Sequence, residues 1–165
     1  MNKSLFTSNS NEWYTPPHII ELVKKILYPC PIFDPCSCRE ANETVGAACY
    51  LSKEDNGLKK PWHGSVFMNP PYGRGEDGCK PWVEKLVKSY EARDIREAIA
   101  LVPARTDTGW FQPLFEYHIC FVKGRLKFSN AASSAPFPSA VVYMGDNPEG
   151  FDLHFRGIGN VVRRY

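Results

Sequence analysis

Asn69-Pro70-Pro71-Tyr72 is the segment of this chain whose residue types and order can do chemistry. Each proline fixes its own φ and drives the residue before it out of the helical region, so the segment is a stiff, solvent-reaching turn. Such a turn holds two hydrogen-bond acceptors still: the Asn69 side-chain oxygen and the Pro70 backbone carbonyl. Pro71 has no N–H with which to compete for them. Tyr72 supplies a flat aromatic face alongside. Two converging acceptors and an aromatic plate suit a planar amino group, carried on an aromatic ring or an amide. Such a nitrogen is a poor nucleophile because its lone pair is delocalised. Acceptors on both N–H bonds favour a pyramidal nitrogen, and their effect grows as positive charge develops on it in the transition state. The chemistry such a site could perform is methyl transfer to that nitrogen, and stacking on Tyr72 would hold a base flipped out of a duplex. The same residues also fit an ordinary proline-rich turn.

The elements that must position this segment follow from periodicity. Val66-Phe67-Met68 reads as a short buried strand that delivers Asn69 at its end. Upstream, Thr15 is a candidate N-cap with Pro16 at the first helical position, and Ile19, Val23, Ile26 and Leu27 then share one face. Cys30 to Phe33 is a short apolar segment ending at Asp34-Pro35, and Ala47 to Leu51 is a second candidate strand. Lys53 to Lys60 is a polar loop around Asp55-Asn56-Gly57. After the Gly73–Lys80 loop, Pro81 opens a helix, and Ala98 to Val102 is a buried strand ending at Pro103. Thr108 to Glu116 is a short helix; Ile119 to Val122, Leu126 to Phe128 and Ala140 to Met144 are late strands, and Phe151 to Tyr165 has some strand character. Helices and strands that alternate early and give way to strands late predict a three-layer α/β fold with a mixed sheet. Ligands of open sheets sit at the carboxyl ends of the strands, which gathers Asp34, Asn69, Pro103 and Arg105 on one rim.

Composition bounds the reading. The chain has 165 residues, 43% hydrophobic and 23% charged, and reads as a single domain spanning residues 1–165 with an ordinary core. A net charge of +2 leaves nucleic-acid binding to local patches rather than to the whole surface. No apolar run is long enough to cross a membrane. The polar stretch Met1 to Asn11 lacks the apolar core of a signal peptide, so a cytoplasmic location is expected. The six cysteines are then expected to be reduced, most of them small buried hydrophobes. Cys36-Ser37-Cys38, with Cys30, Cys49, Cys79 and His63, raises zinc, but the C-x-C spacing has no matching second pair, and no metal is expected.

Several colinear blocks make the resemblance specific. They are Glu12-Trp13-Tyr14-Thr15-Pro16, Phe33-Asp34, Lys53-Glu54-Asp55-Asn56-Gly57-Leu58 with Pro61-Trp62, and the Asn69 segment itself. Leu101-Val102-Pro103-Ala104-Arg105-Thr106-Asp107-Thr108, Trp110-Phe111, Gly124-Arg125-Leu126-Lys127-Phe128 and Ala135-Pro136-Phe137-Pro138-Ser139-Ala140 follow in the same order. Across these blocks the chain resembles the phage-type DNA N6-adenine methyltransferases, the Dam family of phages and prophages. The resemblance implies a Rossmann-like methyltransferase fold and the cofactor S-adenosylmethionine. It places Tyr14, Thr15 and Pro16 over the methionine end of the cofactor, Asp34 at its amino group and Asp55 near its adenine. It makes Asn69, Pro70, Pro71 and Tyr72 the target-base site. Asp34 and Asp55 also fit simple turn roles. The chain departs from the usual methyltransferase pattern after Asp34, where no glycine appears until Gly46. Only about 35 positions separate Asp34 from Asn69, so the middle of the sheet is expected to be contracted.

The implied partner is double-stranded DNA. Lys123, Arg125 and Lys127 alternate, which puts three charges on one face of a strand, and Arg105 and Arg74 lie beside the proposed rim. Such contacts give affinity rather than sequence readout. Too little chain follows the tetrapeptide for a separate recognition domain. Specificity is left to the Gly73–Lys80 and Asn130–Phe137 loops, or to a second subunit of a homo-oligomer. Competing functions are methylation of a protein glutamine, whose amide offers a similar NH2, and a non-catalytic DNA-binding module. Cytosine N4 methylation is a variant of the same chemistry.

Overall fold

The computed structural model describes residues 12–163. The polar stretch Met1–Asn11 and the final two residues lie outside the described residues. One seven-stranded mixed sheet organises the rest, in the order β2-β1-β3-β4-β6-β5-β7. The strands are β1 (Ile32–Asp34), β2 (Cys49–Tyr50), β3 (Gly64–Met68), β4 (Ile95–Pro103), β5 (His118–Val122), β6 (Ser139–Met144) and β7 (Gly159–Val162). β1 pairs in parallel with β2 and β3, and β3 with β4, whereas β6, β5 and β7 continue the sheet antiparallel. β6 is buried along its whole length, and of β4 only Arg96 reaches solvent. These two read in sequence as near-continuous apolar runs, as expected for strands covered on both faces.

Among the described residues four helices accompany the sheet: α1 (Pro17–Leu27), α2 (Arg39–Val45), α3 (Cys79–Glu91) and α4 (Pro148–Phe155). α1 buries Ile19, Ile20, Val23, Ile26 and Leu27 on one stripe, as its 3.6-residue spacing dictates. It packs against α2, α4 and β4, while α3 lies against β4 and two 3₁₀ turns. Because β1, β3 and β4 run in parallel, their carboxyl ends share one rim. Asp34 ends β1, Asn69 follows β3 and Pro103 ends β4.

The structure corrects several sequence expectations. Thr15 does not cap α1: Pro16 occupies the cap position with no side-chain bond, and Pro17, not Pro16, is the first helical residue. α3 begins at Cys79, two residues before Pro81, because a proline is tolerated anywhere in the first turn. The segment read as a helix from Thr108 is a turn followed by a 3₁₀ helix at Gln112–Glu116. Leu126 to Phe128 forms no strand. The tail is a helix, α4, before it is a strand, β7. Between Asp34 and Asn69 the chain fits α2, the two-residue β2 and a 3₁₀ turn at Gly57–Lys59. Of the six cysteines only Cys79 and Cys120 are buried, and Cys49 is exposed.

Candidate active site

The rim opens onto a cleft of about 830 Å³. Its walls come from the 12–15 segment, the β1 end with the loop into α2, the 52–58 loop, Asn69-Pro70-Pro71, the 76–77 turn and Trp82. Segments far apart in sequence therefore meet at the end of β3.

Asn69 is the residue around which they converge. Its Nδ2 donates to the Trp13 carbonyl and, at 2.9 Å, to the Thr15 hydroxyl. Its Oδ1 is buried and has no partner among the described residues. A buried acceptor left unpaired costs about 1–3 kcal/mol, so an asparagine kept only for structure would pair it. The arrangement spends both N–H groups on the protein and reserves the oxygen. Pro70 is buried and lines the same cleft, and among the described residues no backbone N–H donates to its carbonyl. The Pro71 carbonyl accepts from the Cys79 thiol at 3.6 Å.

Tyr72 differs from the expectation of an open aromatic plate. Only 7% exposed, it donates through its hydroxyl to the Leu101 carbonyl at 3.1 Å. Its ring meets Phe128 and Phe137 edge-on, at centroid distances of 6.0 and 5.3 Å. Burial raises its phenol pKa well above the usual value. Trp13 closes the same aromatic cluster, 5.3 Å from Phe128 and 5.2 Å from Phe137. Sequence reasoning missed this cluster; the pairs Trp13-Tyr14 and Phe137-Pro138 were visible only as members of colinear blocks.

Asp34 is 3% exposed and lines the cleft. Its Oδ1 accepts from the Cys36 N–H at 3.1 Å. Burial pushes its carboxyl up to about 7, against the opposing pull of Cys36 N–H and the Ser37 hydroxyl. A carboxylate this poorly compensated favours a cationic ligand. Tyr14 and Thr15 line the cleft, and the Tyr14 hydroxyl accepts from the Cys38 thiol at 3.3 Å. Pro16 does not line it; its carbonyl accepts from Ile19 and Ile20 at the start of α1.

Asp55 also lies outside the lining. Its carboxylate accepts from the Ser52 N–H and hydroxyl, both at 2.8 Å, which is the turn role. Its neighbours Ser52, Lys53, Asn56, Gly57 and Leu58 form the wall instead. That wall is fixed by Gly57, where a Cβ would stand 1.9 Å from the Pro35 carbonyl oxygen, so only glycine fits. Trp62 Nε1 donates to the Gly57 carbonyl at 2.9 Å, and Lys85 Nζ donates to the Leu58 and Lys60 carbonyls at 2.7 and 2.6 Å. The expected approach of glycine backbone to this cleft is therefore supplied from the 52–58 loop, not from the segment after Asp34.

The basic residues are exposed. Arg74 opens the turn after Tyr72, next to Glu76 and Asp77 in the cleft wall. Arg105 follows β4 closely enough for its charge to oppose the burial that pushes Cys79 up to about 12. Lys123, Arg125 and Lys127 are all exposed, although their segment is not a strand; Leu126 and Phe128 turn inward between and after them. The alternation expected from the sequence thus survives without the ladder. Among the described residues no group of three or more His, Cys, Asp or Glu is placed to hold a metal ion.

A mixed α/β sheet with a cleft at the carboxyl ends of its parallel strands, and an unpaired amide oxygen beside it, is an architecture suited to ligand binding. The sequence places the chain more closely. It matches the family described as DNA N-6-adenine-methyltransferase (Dam) over residues 3–141, and the chain belongs to that family. No curated protein matches it. No described helix is long and apolar enough to cross a membrane.

Proposed function

We propose that the protein is an S-adenosylmethionine-dependent methyltransferase acting on the N6 amino group of adenine in double-stranded DNA. The observation that carries the reading is the buried, unpartnered Oδ1 of Asn69 beside the Pro70 carbonyl. Together they offer two acceptors to the two N–H bonds of one amino group. Both contacts strengthen as that nitrogen gains positive charge, so they favour the transition state over the bound base.

The residues present fit the cofactor. Asp34, under-compensated in its buried site, suits the ammonium of the methionine portion, with Tyr14 and Thr15 beside it. The 56–58 wall and Trp82 offer glycine backbone and an aromatic face to the remainder. When bound, the cofactor supplies a methyl group activated by a sulfonium. The sheet that carries these residues is then read as the Rossmann-like methyltransferase fold, in three layers with a contracted middle.

Double-stranded DNA would be met by Arg74 and Arg105 at the rim and by Lys123, Arg125 and Lys127 beyond it. These exposed charges suit phosphates. Stacking of the flipped base on Tyr72 requires the covering side chains to move. Trp13 and Phe137 are the half-buried members of the cluster, whereas Phe128 is fully buried.

The test incubates purified protein with isotopically labelled S-adenosylmethionine and unmethylated duplex DNA, then identifies the labelled nucleoside by mass spectrometry. Label in N6-methyladenine is the expected result. Label in N4-methylcytosine changes the target base. Label in protein alone, or none from protein that binds the cofactor, overturns the reading.

A further inference from the structure

We propose that Asn130 and Thr15 are positioning residues that lock the Asn69 amide with its oxygen, not its nitrogen, reserved for the substrate. The inference rests on the reading above and deepens it.

An asparagine amide is nearly symmetric in shape, and only its partners decide which end faces the ligand. Thr15 alone cannot decide, because a hydroxyl donates or accepts. The Trp13 carbonyl can, because it only accepts, and it therefore selects Nδ2.

The peptide plane joining Trp13 to Tyr14 is rigid, with its C=O and N–H pointing in opposite directions. On one side its carbonyl meets Asn69 Nδ2. On the other its N–H, that of Tyr14, donates to Asn130 Oδ1 at 2.8 Å. Asn130 Nδ2 donates in turn to the Glu12 carbonyl at 3.0 Å, so one side chain grips the backbone on both sides of Trp13. The next peptide is held as well, with the Ser129 N–H donating to the Tyr14 carbonyl at 2.9 Å. Rotating the plane would break the Asn130 bond and the Asn69 bond together. Asn130 thus acts on Asn69 through a backbone carbonyl, and Thr15 adds the second bond to the same nitrogen. An aspartate at position 69 would set an oxygen against that carbonyl.

The test reads the Asn69 side-chain NH2 by NMR in isotopically labelled protein, assigned by its absence in Asn69→Ala. In the wild type its protons should exchange with solvent far more slowly than those of exposed Asn56. Asn130→Ala should abolish that protection and lower kcat about tenfold or more, the cost of one mis-set contact. Because Asn130 also braces Tyr14 in the cofactor cleft, the loss of kcat at saturating S-adenosylmethionine should exceed any loss of S-adenosylhomocysteine affinity. Thr15→Val should weaken protection and kcat, and Thr15→Ser should restore both. Asn130→Asp keeps the acceptor for Tyr14 N–H and should fall between, which preserves the test if Asn130→Ala folds poorly. A wild-type Asn69 amide that exchanges like that of Asn56, or an Asn130→Ala protein with unchanged amide and kcat, overturns the proposal. A protected amide in a protein that methylates no adenine overturns the functional reading and leaves the lock standing.

Discussion

The two ends of the central strands each bury an acid, and they treat it in opposite ways. Near the amino ends of β3 and β4, Glu97 accepts from the Ser65 hydroxyl at 2.9 Å and the Tyr143 hydroxyl at 3.4 Å, and pairs with Arg96. At the carboxyl rim, Asp34 has the Cys36 N–H and the opposing influence of Ser37, and its carboxyl rises to about 7. The asparagines divide in the same way. Asn147 uses its oxygen to cap α4 through the Gly150 N–H, and Asn42 pairs oxygen and nitrogen with Ala47. Among the described residues Asn69 pairs its nitrogen twice and its oxygen not at all. Burial alone therefore does not mark a functional polar group. Burial without compensation is what Asn69 and Asp34 share at the rim, and it points to a site because both also line the cleft, which the buried, unpaired His118 Nδ1 and Ser139 Oγ do not.

Substitutions can break or sharpen this contrast. The largest effect is expected at Asn69. Asn69→Ala should lower methyl transfer by about a thousandfold, the scale of a lost transition-state contact, while calorimetry shows a melting temperature within a few degrees of wild type. Glu97→Ala should do the reverse. It strands Ser65 and Tyr143 and should cost about 2 kcal/mol of stability in urea unfolding, with kcat unchanged.

Asp34→Asn should weaken S-adenosylhomocysteine binding about tenfold by calorimetric titration, through loss of the partner for the ligand ammonium. The sign of its pH effect follows from its raised carboxyl. The native protein holds this proton more tightly than the unfolded chain, so the contribution of Asp34 to stability is present below about pH 4 and lost as pH rises through about 7. Asp34→Asn should therefore melt higher than the wild type at pH 8 in the absence of ligand. Wild-type cofactor affinity should fall as pH drops below about 7, and the variant should not share that dependence. The smallest effect is Tyr72→Phe, which loses one buried bond to Leu101 and about 1 kcal/mol of stability, with the ring and its packing kept.

What the sequence made legible is the rim. Short apolar runs ending at Asp34, Met68 and Pro103 revealed β1, β3 and β4, because prolines and acids after a buried strand leave little freedom. The exposed alternation of Arg125 and Lys127 was legible too, although it reports burial and not strand pairing. α2 was not, because it is short, polar and mostly solvent-facing, and its cap is the Cys38 sulfur accepting from the Ala41 N–H rather than a hydroxyl or carboxylate. Thr15 was misread as a helix cap because cap chemistry is local, whereas its real partner is Asn69. The bonds of Asn130 to Glu12 and Tyr14 span most of the chain, and no local pattern encodes them. Tyr72 shows the same limit: its ring is enclosed by Trp13-packed Phe128 and Phe137, which only the tertiary fold brings together.

The most direct measurement is a single-turnover comparison of wild-type and Asn69→Ala proteins, both saturated with labelled S-adenosylmethionine, on unmethylated duplex DNA. Wild type should form N6-methyladenine, and the variant, still folded and still binding the cofactor, almost none. Equal rates from the two proteins would contradict the role assigned to Asn69.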